Sequence, residues 1–71
     1  MTDTTAAYER ASFMVEALAQ AELHLSHAID HLVAGNPGRF AFDLQCFGAA
    51  AKAALETYRE LAEKAQQESR P

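Results

Sequence analysis

Three histidines, His24, His27 and His31, stand within eight positions in the stretch HLSHAIDHL. Imidazole is the commonest metal ligand and changes charge near neutral pH, so this cluster offers metal coordination or a pH-sensitive edge. At ~100° per residue the three rings fall within about 60° of one another on a helix surface. His24 and His27, or His27 and His31, are near enough to share one ion. His24 and His31 are roughly 10 Å apart along the axis, so one helix supplies two ligands at most and the others must come from a neighbour. The Glu-x-x-His pairing of di-iron bundles is absent, since Leu25 stands three residues after Glu22. The histidine arc also lies more than a right angle from the apolar seam described below. The strip is therefore expected to be solvated and without a metal.

Other chemistry is thinly represented. There is no glycine-rich phosphate loop, no nucleophile elbow around Ser12 or Ser26, and no basic residue near Cys46 in sequence. Catalysis, and with it any cofactor, is not expected.

The elements that carry these residues are two long helical patterns. Ala7, Ala11, Met14, Leu18, Ala21, Leu25, Ala28 and Leu32 recur at steps of four and three, a coiled-coil-like seam rather than a strand pattern. Tyr8, Val15 and Ile29 widen it on one flank, and Asp3 or Thr4 is a candidate cap. The break is AGNPG, residues 34–38. Gly35 suits a left-handed helix end, and Asn36-Pro37 suits the start of the next helix. The second seam runs Phe40, Leu44, Phe47, Ala51, Ala54, Tyr58, Leu61 and Ala65. Helices are expected at about 4–34 and 39–67, joined by a turn at 35–38 and followed by a frayed tail at 68–71. The fold class is all-α: a single antiparallel two-helix hairpin.

A chain of 71 residues has too little apolar interior to stand easily alone, and its one cysteine cannot form an internal disulfide. Two hairpins packed into a four-helix bundle would cover the wide flanks. The expected homodimer core is Met14, Leu18, Leu25, Leu32, Leu44, Phe47, Tyr58 and Leu61. A net charge of −4 argues against nucleic acid or an anionic membrane as partner. The first ten residues have neither the basic nor the apolar region of a signal peptide, and no apolar run reaches membrane-spanning length. The expected location is cytoplasmic.

Helix 2 carries a second apolar stripe, Phe42, Cys46, Ala49 and Ala53, which gives way to charge at Glu56, Glu60 and Lys64. A helix apolar on two sides is normally covered on both. Together with the off-seam Phe13, this stripe is the expected docking surface for another bacterial protein.

The stretches YERASFM (8–14) and AAAKAALE (49–56) resemble a family of short bacterial proteins of uncharacterised function, with an Ala-Leu-x-x-Ala-Ser-x-Leu segment early and Ala-Lys-Ala-Leu late. Ala11, Ser12, Ala51, Lys52 and Ala53 match; Tyr8 and Met14 stand where leucines occur. The resemblance implies a helical bacterial protein and no activity. In architecture the chain is also similar to the Rop-type RNA-binding hairpins, but helix 1 sets five acidic residues against Arg10. A phosphate-binding face needs the opposite sign. The leading expectation is a small, non-enzymatic protein-binding homodimer: an adaptor, inhibitor or anti-activator. The alternatives are a metal-binding bundle using His24, His27 and His31, or an RNA-binding hairpin.

Overall fold

A computed structural model describes residues 4–69 and consists of two α-helices, α1 (Thr4–Val33) and α2 (Pro37–Ser69). They pack as an antiparallel hairpin 56 Å long and 18 by 12 Å across. The expected all-α hairpin is the fold.

The connection explains why the chain reverses so tightly. At the end of α1, Asn36 N–H donates to the His31 carbonyl (2.9 Å) and Gly35 N–H to the Leu32 carbonyl (3.2 Å). These paired bonds satisfy two carbonyls that the helix end leaves open, and they require a left-handed residue between them. Gly35 supplies it, at φ 74°. Asn36 then caps α2: its Oδ1 accepts from Arg39 N–H at 3.2 Å and its carbonyl from Phe40 N–H at 3.0 Å. Pro37 takes the first helical position, where its missing N–H costs nothing.

Helix α2 thus begins at Pro37, two residues before the expected boundary at 39, with Asn36 as its cap, as the Asn36-Pro37 pair suggests. It also continues through Ser69, so Glu68 and Ser69 are helical rather than frayed tail. Of the expected N-terminal caps, Asp3 lies outside the described residues and Thr4 is the first helical residue.

A Cβ built at Gly35 meets nothing within 4 Å, so Gly35→Ala should cost only backbone strain. We expect a loss of about 1 kcal/mol in urea denaturation. Gly35→Asn should lose less, because asparagine tolerates this region.

The line of contact differs from the expected seam. On α1 the least exposed positions are Ala6, Arg10, Met14, Ala17, Ala21, His24, Ala28 and His31. On α2 they include Phe40, Asp43, Phe47, Ala50, Ala54, Thr57 and Leu61. The line on α1 is turned by about 60° from the Leu/Ala seam. Met14, Ala21 and Ala28 are shared between the two, but Leu18, Leu25 and Leu32 are exposed. The apolar arc of α1 is wider than one neighbour can cover, and α2 has settled on its small-residue edge. Ala17, Ala21, Ala28 and Ala54 are all buried; short side chains there leave room for two backbones to approach.

Among the described residues no large side chain is fully buried. Burial of a few methyl groups contributes little against the ordering of two long helices.

Candidate functional site

Near the hairpin tip, the histidines meet the other helix. Asp43 is 5% exposed and sits between two of them. His24 Nδ1 is 3.2 Å from Asp43 Oδ1, and His31 Nε2 is 3.5 Å from Asp43 Oδ2. The 3.2 Å separation is a hydrogen bond when the His24 ring proton is on Nδ1, since an ionised carboxylate only accepts. It leaves the same nitrogen free to coordinate when the proton is on Nε2. The His31 contact is an ion-pair distance rather than a good hydrogen bond. His27 completes the group: its ring stands edge-on to His24, with centroids 6.4 Å apart.

This overturns the expectation of a solvated strip. His24 and His31 are half-buried, at 25% and 31% side-chain exposure, and only His27 is exposed. The histidines are far from the leucines, but α2 lies against the alanine edge of α1, which is the histidines' side.

The residue that sequence reasoning missed is Asp43. A signal was present: it is the only charged residue in the run from Phe40 to Ala51. A charge kept within an otherwise uncharged stretch faces a strong desolvation cost and needs a partner. Among the described residues its ion-pair partners are imidazoles, with no lysine or arginine within 4 Å.

Away from this cluster, the hairpin has two apolar sides. An antiparallel pair is related by a two-fold axis normal to the plane of the helices, so equal rotations from the contact line emerge on the same side of both. At ~100° per residue, Leu18, Leu25 and Ile29 on α1 and Leu44 and Leu55 on α2 all lie roughly a right angle to one side, with Leu32 and Tyr58 nearer the contact line. Each is at least 40% exposed, and together they form one continuous face. Of the other expected dimer-core residues, Met14, Phe47 and Leu61 are half-buried along the contact between α1 and α2.

The second side carries the expected docking residues. Phe42 is 62% exposed and lines a shallow hollow with Asn36, Gly38 and Arg39. Cys46 and Ala53 are half-buried, and Ala49 is exposed. Phe13 is exposed on the same side, but it lies roughly 20 Å from Phe42 along the hairpin, so the structure does not join it to the stripe. His27 and the open edge of the Asp43 cluster also belong to this side.

No helix among the described residues is long and apolar enough to cross a membrane. No family model, no curated protein and no solved structure matches this chain.

Proposed function

We propose that this chain is a self-associating helical hairpin, whose cytoplasmic homodimer works as a non-enzymatic protein-binding module. The observation that carries this reading is the leucine face. A compact monomer of 7.7 kDa exposes roughly 4,300 Å², whereas this hairpin exposes 5568 Å². Returning that excess to the interior on each of two chains would bury on the order of 2,400 Å², within the range of obligate homodimers. Leu18, Leu25, Leu32, Leu44 and Leu55 form the kind of apolar surface that isolated proteins rarely keep in water.

A second copy laid on that face makes a four-helix bundle and leaves the opposite side free. There Phe42, in its hollow at the hairpin tip, is the anchor offered to a partner protein. The acidic balance of the chain disfavours RNA in that role.

Sedimentation at micromolar concentration tests the dimer: it should give twice 7.7 kDa, with a melting temperature that rises with concentration. Phe42→Ala should leave both unchanged, because the ring lies away from the leucine face. A monomer that melts independently of concentration would overturn the proposal. Loss of the dimer in Phe42→Ala would move the interface to the other side.

A further inference from the structure

We infer that the hairpin tip holds a divalent transition-metal cation, coordinated by His24 and His27 of α1 and Asp43 of α2. Each of the three offers one ligand atom, and these atoms all lie within 4.8 Å of one another. In a tetrahedral zinc site, ligand atoms about 2.0–2.1 Å from the ion stand ~3.3 Å apart. The widest pair therefore has to close by ~1.5 Å, which rotation of the exposed His27 ring can supply.

Two features beyond the grouping of donors point to a cation. The first is the burial of Asp43 in a place where no lysine or arginine reaches it. A carboxylate withdrawn from water needs a compensating positive charge, and a metal ion held by neutral imidazoles supplies one. The second is the division of the carboxylate. Oδ1 faces His24 at 3.2 Å, while Oδ2 is turned to His31 at 3.5 Å. His31 then steadies the ligand from behind, as outer partners of metal ligands commonly do.

Two nitrogen donors and one oxygen donor suit zinc and its first-row neighbours better than calcium or magnesium, which prefer oxygen alone. Three protein ligands leave a coordination position for water. The cluster opens on the side opposite the leucines, so the hairpin can bind the ion whether or not it pairs through them.

The test is calorimetric titration of the full chain, without an affinity tag, with Zn²⁺. One ion per chain should bind, and the melting temperature should rise with zinc. His27→Gln should lose this binding while melting close to the parent in EDTA, because the exposed ring packs only edge-on against His24. His31→Gln should still bind, about 10- to 100-fold more weakly. Co²⁺ in place of zinc should give the visible absorption of a four- or five-coordinate site, absent in His27→Gln. The inference is overturned if the parent binds no zinc. It is equally overturned if His27→Gln binds as tightly as the parent, or if His31→Gln rather than His27→Gln abolishes binding. In the first case the contacts with His24 and His31 alone compensate Asp43.

Discussion

Leu25→Glu is expected to leave the chain with little helix at micromolar concentration, as read by far-ultraviolet circular dichroism. In the single hairpin Leu25 is 40% exposed, and judged by that surface alone a glutamate there is harmless. The large effect arises only from the proposed pairing. Leu25 is flanked by Leu18 and Leu32 on the face that a second copy would cover, and a two-fold dimer meets every substitution twice. Each lost leucine removes about 1.5–3 kcal/mol of apolar burial, and a carboxylate buried without a partner adds several more. Together these match or exceed the ~4–10 kcal/mol that holds a chain of this size folded. Leu23→Glu is the matched control. Leu23 is 47% exposed, close to Leu25, yet two residues along a helix turn it to the far side. Its substitution should cost no more than ~0.5 kcal/mol. If Leu25→Glu and Leu23→Glu behave alike, the leucine face is not an interface.

The contrast between these two leucines also marks what the sequence made legible. Steps of three and four residues told which residues share a face, and AGNPG told where the chain turns, because proline and left-handed glycine act locally. The wider question is which part of a broad apolar arc meets which neighbour. That is decided by two surfaces together, and periodicity on one helix does not contain it. The leucines dominated the reading because they carry more hydrophobic area than alanines. In the hairpin, close approach favoured the alanines, and the contact line turned with them. The burial of His24 and His31 follows from the same turn, because the alanine line runs beside them. Asp43 was visible as an isolated charge, but its pairing across the turn with His24 and His31 depends on the register of α2. That register follows from the short Gly35–Asn36 connection together with the alanine contact.

If alanine contact sets the register, enlarging one of these alanines should be the most damaging change inside a single hairpin. Ala28 is 1% exposed, the most buried of the core alanines, and it lies between His24 and His31 on the line that faces α2. Ala28→Leu introduces three further carbon atoms where the helices meet. Overpacking of this kind costs typically 1–3 kcal/mol, and more where a backbone stands opposite and cannot move aside. We expect about 3 kcal/mol, a fall in melting temperature on the order of 10–20 °C. Because Ala28 is at the level of Asp43, separation of the helices should also open the 3.2 Å contact between His24 and Asp43, visible as a change in the His24 ring resonances. Ala19→Leu provides the comparison: Ala19 is exposed on the polar side of α1, and both residues are strong helix formers. That change should stay within ~0.5 kcal/mol of the parent. Equal effects at the two sites would mean that side-chain size at Ala28 does not set the helix spacing. The asymmetry expected here instead ties the buried alanines to the chemistry at the tip, since the same close approach that excludes a leucine brings Asp43 within reach of two imidazoles.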